Sequence, residues 1–287
     1  MRLGWWLAAG WLGTFAAFGH GDVHARIEGM SQRIAATPTD AKLYLQRAEL
    51  FRQHEDWQAA FADCDKAEQL NPAIDAALLR GRCLLEAARP ADALPVLDGY
   101  LGRHPQHIQA WVCRARVLTR LKRHAAAIAD YREALQRSPQ PEPDLVQECA
   151  DALAALGEIR EAVQVLDDGL AKLGTVPSLV LHAMDIEAAA GNFAAALTRV
   201  EIMRKAAPRP EPWMAKRASL LAQAGRMQES QAAWQALVGH LTTLPAVERR
   251  SHAMSQLLVQ AHQALAALDS IRPANATPPI APPASKS

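Results

Sequence analysis

The side chains best placed to do chemistry in this 287-residue chain are His20 and His24, with Asp22 between them. Cleavage after Gly19 would leave His20 with a free amine beside its imidazole. Those two nitrogens and the His24 ring form a donor set suited to copper or zinc. The competing reading is that Asp22 caps a terminal helix and both imidazoles stay in water. Four cysteines, Cys64, Cys83, Cys113 and Cys149, show no zinc spacing. Cys64 is expected in a core, and the four are read as unpaired thiols, with Cys64–Cys83 the bridge to test. His104-Pro-Gln-His107 lies at a repeat junction where histidine is a tolerated polar residue, and Asp167-Asp168 sits on a helix with no facing pocket that the sequence identifies. There is no nucleophile elbow, glycine-rich phosphate loop or serine, histidine and aspartate order. The expectation is therefore no enzyme and no cofactor.

What would position any of these groups is a repeat. Alanine or serine is followed four residues on by a larger side chain at Ala60/Cys64, Ala93/Leu97, Ala127/Tyr131, Ala162/Leu166, Ala196/Val200 and Ser230/Trp234, at intervals of 33 to 35 residues. So regular a period means supersecondary units stacked in a row, each burying its apolar face against its neighbours. Sixteen residues earlier, or fifteen in the second unit, stand Tyr44, Leu78, Trp111, Val146, Val180 and Met214. Ala48, Arg82, Ala115, Ala150, Met184 and Ala218 follow four residues later, then Phe51, Leu85, Leu118, Leu153, Glu187 and Leu221 at seven. Those spacings fall on one helical face, so each unit reads as two helices. Gly157, Gly191 and Gly225 mark the turn in later units, with His54-Glu55-Asp56 and Arg89-Pro90 in its place earlier. Pro72, Pro105, Pro139 and Pro208 close four of them.

The pattern over residues 41 to 240 resembles the tetratricopeptide repeat family, on Tyr44, Ala48, Phe51, Ala60, Ala67 and Pro72 best, then Trp111, Ala115, Ala127, Tyr131, Ala134 and Pro139. Arg82 and Met184 stand where a small residue is expected. The resemblance implies an all-α fold, a right-handed α-solenoid of about six helix-turn-helix repeats with capping helices. It also implies a concave groove lined by first helices: Leu45, Leu79, Val112, Gln147 and Leu181 one residue after each opening position, and Glu49, Cys83, Arg116, Asp151 and Asp185 five after it, with Arg120 nearby. Leu45, Glu49 and Cys83 do not reproduce the amide and basic residues that clamp a C-terminal carboxylate. Residues 75 to 137 hold eleven basic and six acidic side chains and 142 to 187 two and ten, so a surface that changes sign should orient a partner.

The expected organisation is a signal peptide at 1–19, an N-terminal capping helix at 20–38, six repeats at 39–240, a C-terminal capping helix at 241–271 and a proline-rich disordered tail at 272–287. Arg2 precedes the uncharged Leu3 to Phe18, and Ala17-Phe18-Gly19 suits signal peptidase. An uncleaved anchor competes, although the stretch is shorter than the roughly 20 residues of a spanning helix. A bacterial periplasmic or secreted location follows, with membrane contact only through this segment if uncut. Val23, Ile27, Met30 and Ile34 recur at helical spacing in the first cap. In the second, Val247, Met254, Leu258, Ala261, Leu265 and Leu268 are expected on one face. A net charge of +1 excludes a strongly basic nucleic-acid binder. The expected function is a non-catalytic scaffold holding a peptide or partner protein in the groove. The alternatives are an envelope assembly or chaperone-like factor, and a metal-binding protein using His20 and His24.

Overall fold

A computed structural model describes residues 17–271, with side chains from 22 to 270. The expected signal segment up to 16, the His20 side chain and the proline-rich tail lie outside the described residues. Every described element is a helix: α1 Ala17–Ala36, α2 Ala41–Gln53, α3 Trp57–Leu70, α4 Ala77–Glu86, α5 Pro90–Arg103, α6 Ile108–Arg120, α7 His124–Arg137, α8 Pro143–Ala155, α9 Ile159–Leu173, α10 Pro177–Ala189, α11 Phe193–Ala206, α12 Glu211–Gln223, α13 Met227–Thr243, α14 Ala246–Arg249 and α15 His252–Ile271. Two compact units divide at Leu156/Gly157, with α1 to α8 in the first and α9 to α15 in the second.

In α2/α3, α4/α5, α10/α11 and α12/α13, residues of the recurring pairs pack against the first helix of their hairpin. All six small residues, Ala60, Ala93, Ala127, Ala162, Ala196 and Ser230, have no exposed surface, and their larger partners are buried as well. Small side chains let backbones approach, and Ser230 uses its hydroxyl to donate to the Ala218 carbonyl at 2.8 Å. In the second hairpin even a methyl group would not fit: a Cβ on Gly81 would lie 2.5 Å from Leu97. Gly81 stands twelve residues before Ala93, as Ala48 does before Ala60. It is therefore the small residue of α4, and Arg82 is not a departure from the pattern. The register expected for that helix is one residue late.

The turns repeat as strictly as the contacts. Glu55, Ala88, Lys122, Gly157, Gly191 and Gly225, each five residues before its alanine or serine, all take positive φ, between 56° and 81°. In five hairpins the next amide reaches back to the first helix: Asp56 to Phe51, Arg89 to Leu84, Arg123 to Leu118, Asn192 to Glu187 and Arg226 to Leu221, at 2.7 to 2.9 Å. This is a Schellman closure, which satisfies carbonyls at the end of the first helix and starts the second antiparallel to it.

Ion pairs lock three hairpins. Arg47 on α2 grips Asp63 on α3 with two bonds of 2.7 Å, and Arg114 on α6 grips Asp130 on α7 at 2.7 and 2.8 Å. Each arginine also lies over an aromatic ring, Tyr44 and Phe51 in one case and Trp111 in the other. The opening aromatics donate backward too, Tyr44 to the Pro38 carbonyl and Trp111 to that of Pro105. In α10/α11 the polarity is reversed. Arg199 occupies the place of Asp63 and bonds buried Glu187 at 2.9 Å and Asp167 of α9 at 2.6 and 2.8 Å.

Both ends are covered. Ile34 of α1 packs with Ala41, Leu43, Tyr44 and Ala67, and Met30 lies against them. At the other end Met254 and Ala261 of α15 join Trp234, Leu237 and Leu241, with Leu258, Leu265 and Leu268 partly buried against them. Val247 does not share that face. It is 87 % exposed on the four-residue α14, because the helix stops at Arg250 and α15 starts afresh, with Ser251 accepting from the Met254 amide.

The six left-handed turns carry a direct test. Left-handed geometry costs an L-residue about 1–2 kcal/mol, whereas glycine adopts it freely. Ala88→Gly should raise unfolding stability by up to about 1 kcal/mol and Gly191→Ala should lower it by about 1 kcal/mol, both measured by urea denaturation. No Cβ clash at Gly191 confuses the comparison.

Candidate functional site

The first helices α2, α4, α6 and α8 carry the expected binding positions of the first unit. Leu45 and Glu49 are half-buried and line a hollow of about 690 Å³ with Arg26, Met30 and Arg33 of α1. Val112 and Arg116 line a second, of about 410 Å³. Its apolar wall is Ile108, Val112 and Leu145, and Gln106, Gln109 and Gln140 bring side-chain amides to it. Arg120 is exposed, as is Asp151, while Gln147 is half-buried. In the second unit Leu181 packs partly against the cluster around Val180 and Trp213, and Asp185 is exposed. The register of α4 moves two expected positions. Leu79 lies against Ala48, Cys64 and Ala76, and Cys83 has no exposed surface. Leu78 and Arg82 occupy the places equivalent to Leu45 and Glu49.

Charges on these helices are joined to one another. Arg52 bonds Glu49 on its own helix and Glu86 on α4, and Arg82 of α4 lies 3.7 Å from Glu49. Arg116 reaches Glu148 of α8 at 2.8 Å, and the Tyr131 hydroxyl donates to the same carboxylate at 3.1 Å. In the second unit Lys216 of α12 holds Asp185 of α10 at 2.5 Å. Several of the charges on these helices are thus offset locally by an opposite charge one hairpin away, as in Arg52–Glu86, Arg116–Glu148 and Lys216–Asp185. Burial acts to raise the Glu49 carboxyl, but the Arg52 hydrogen bond and the Arg82 charge outweigh it and hold the group below its ordinary range. Glu68 and Asp75 end below theirs for the same balance of reasons, against Arg80 and Arg103 respectively.

The residues that first suggested chemistry are placed differently. All four cysteines are buried and unpaired, so no Cys64–Cys83 bridge forms. Burial pushes Cys64 and Cys83 up to about 12 and Cys113 and Cys149 to about 11, which suppresses the thiolate that reacts. His24 sets its ring 5.9 Å from that of His54 on α2. No group of three or more histidine, cysteine or acidic side chains able to hold a metal occurs among the described residues. No described helix is long and apolar enough to cross a membrane.

Known proteins share this arrangement of helices. Residues 75–140 match one family model, described as tetratricopeptide repeat, and 118–178 match another with the same description. Together the matched stretches span residues 75–178 and include α6 and α8, the two walls of the amide-lined hollow. The chain is also 34% identical over 93 residues to mouse WD and tetratricopeptide repeats protein 1, and 33% identical to its human counterpart. These alignments cover 31% of this chain and 14% of those proteins. Among solved structures, Pseudomonas aeruginosa PilF superposes with a TM-score of 0.53 at 13% identity, over 77% of this chain and 97% of its own, a likeness of fold. A thermophilic tetratricopeptide protein of Thermus thermophilus has a TM-score of 0.44 at 19% identity, covering 63% and 99%.

Sequence reasoning missed Arg52, Arg82, Glu86, Glu148 and Lys216, whose partners lie on a neighbouring hairpin. Their pairing determines how stability responds to acid. A carboxyl whose folded value is depressed contributes stability above its unfolded value and loses it as pH falls through the folded one. Glu49, Glu68 and Asp75 all behave so, so the melting temperature should fall once pH drops below the ordinary values of 4.5 and 3.8. Arg52→Gln should flatten that fall, and thermal melts from pH 6 to pH 3 decide it. The thiols supply a second check: a disulfide-exchange reagent at pH 7 should label none of the four in the folded chain and all four after denaturation.

Proposed function

We propose that this chain is a non-catalytic scaffold which holds an extended segment of a partner protein on its first-helix face, seated in the first unit at the hollow beside Val112 and Arg116. The observation that carries this reading is the composition of that hollow. Side-chain amides both donate and accept, so Gln106, Gln109 and Gln140 suit the unpaired N–H and C=O groups of an extended peptide. Ile108, Val112 and Leu145 beside them suit its apolar side chains. Because Arg116 is already engaged by Glu148, affinity rests on apolar and amide contacts, and long-range charge contributes little. The uncharged run from Leu3 to Phe18 behind Arg2 supports export to a bacterial periplasm as the setting.

A random-peptide display library selected on the full chain tests the proposal. Selected peptides should bind a Gln109→Ala/Gln140→Ala variant about tenfold more weakly, the loss of one or two net hydrogen bonds. Their affinity should change less than about threefold between low and physiological salt. Peptides that bind both proteins equally would remove this hollow from the interface.

A further inference from the structure

The largest hollow described in the second unit lies on the other side of its first helix. α11, α12 and α13 enclose about 700 Å³ there. Met214, Arg217 and Leu221 line it from α12 at spacings of three and four, which places them on one side of that helix. Lys216, the partner of Asp185, lies on the other. The floor is apolar, with Leu221 and Ala233 buried and Leu197 and Met214 half-buried. At its edge Ile202 is 61 % exposed, a large apolar side chain left in water beside the hollow.

Charge around this floor is one-sided. Arg204, Lys205, Arg217 and Arg226 line it against a single lining carboxylate, Glu201. Arg204 bonds Glu201 at 2.8 Å, Lys205 shares that carboxylate from 3.8 Å, and Arg226 bonds Glu229 at 2.6 Å. Even with Glu229 counted, four cations face two anions. We propose that this furrow is a second docking site, distinct from the first-helix face, whose occupant is an acidic amphipathic segment of a partner protein. Its apolar side chains, three and four residues apart, would cover Ile202, Leu197 and Met214. Its carboxylates would meet the surplus cations at the rim. Residues 272–287 of the chain itself contain Arg272 and Lys286 and no acid, so their charge is of the wrong sign for this site.

Two labelled fourteen-residue helical peptides separate the outcomes, both with leucine at positions i, i+3 and i+7, one with glutamate and one with lysine elsewhere. The full chain should bind the glutamate peptide at least tenfold more tightly than the lysine peptide, and the preference should shrink as salt is added. Lys205→Glu/Arg217→Glu should abolish it, and Ile202→Ser should weaken binding several-fold, with helix content by circular dichroism unchanged. Gln109→Ala/Gln140→Ala should leave this binding intact, which separates the site from the first-helix face. Equal binding of both peptides, no binding of the acidic one, or indifference to these substitutions would overturn the proposal. So would tight binding to phosphatidylglycerol vesicles that the acidic peptide cannot displace, which would assign the furrow to a lipid surface.

Discussion

The close approach of two antiparallel helices at a single small residue is the constraint on which the rest of this molecule depends. Ala60, Ala93, Ala127, Ala162, Ala196 and Ser230 have no exposed surface at all. Once that distance is set, the larger residue four positions on fills the space beside it; the first helix can present a small residue of its own, as Gly81 does against Leu97, or a flexible one, as buried Met184 does beside Ala196. The hairpin then has one face left to offer water and one to offer the next hairpin. The candidate binding face is a by-product of that geometry, since the positions turned away from the core contact are the ones free to vary.

Charge distributes itself accordingly. In the three locks, Arg47–Asp63, Arg114–Asp130 and Arg199–Glu187, the carboxylate is buried and the arginine partly so; Arg116 and Glu148, which meet between hairpins, sit on the candidate face and offset each other there. A buried pair contributes more to specificity of arrangement than to net stability, because desolvation offsets much of the attraction. The half-exposed pairs between hairpins are weak singly. Their effect is to leave the first-helix face apolar and amide-rich, in contrast to the cationic rim beside Ile202.

The all-α fold is legible in the chain because the period is itself the contact: residues that must be small recur at the interval the hairpin needs. Turn positions are legible where glycine marks them, at Gly157, Gly191 and Gly225. Glu55 lies within the expected His54-Glu55-Asp56 turn and Ala88 just before the expected Arg89-Pro90, whereas nothing in the sequence marks Lys122; at all three, backbone hydrogen bonds hold a non-glycine residue in the left-handed conformation. The slip in α4 has a similar origin. Glycine at 81 reads as a weak helix position, which makes apolar Leu78 the apparent opener and places Cys83 in the groove. Site positions one and five beyond the opener follow from the period, but their ionic partners do not. Arg52 and Glu86 are 34 residues apart, and Arg116 and Glu148 are 32 apart, so only a folded neighbour brings them together. The break between α14 and α15 has no proline or glycine to signal it, and Val247 is left in water there.

The reversed polarity of the lock in α10/α11 bears on how such a chain finds its order. Hairpins of near-identical shape invite mis-threading, in which one module docks where another belongs, and duplication or recombination of their coding segments compounds the hazard. Arg47 with Asp63 and Arg114 with Asp130 are interchangeable keys, but α11 brings Arg199 to the place where α3 and α7 bring a carboxylate. Paired with α2 or α6, it would press arginine against arginine in a buried seam. Like-charge conflict therefore acts as an address, fixing the fifth hairpin's partners in a sequence whose apolar pattern alone would permit shuffling.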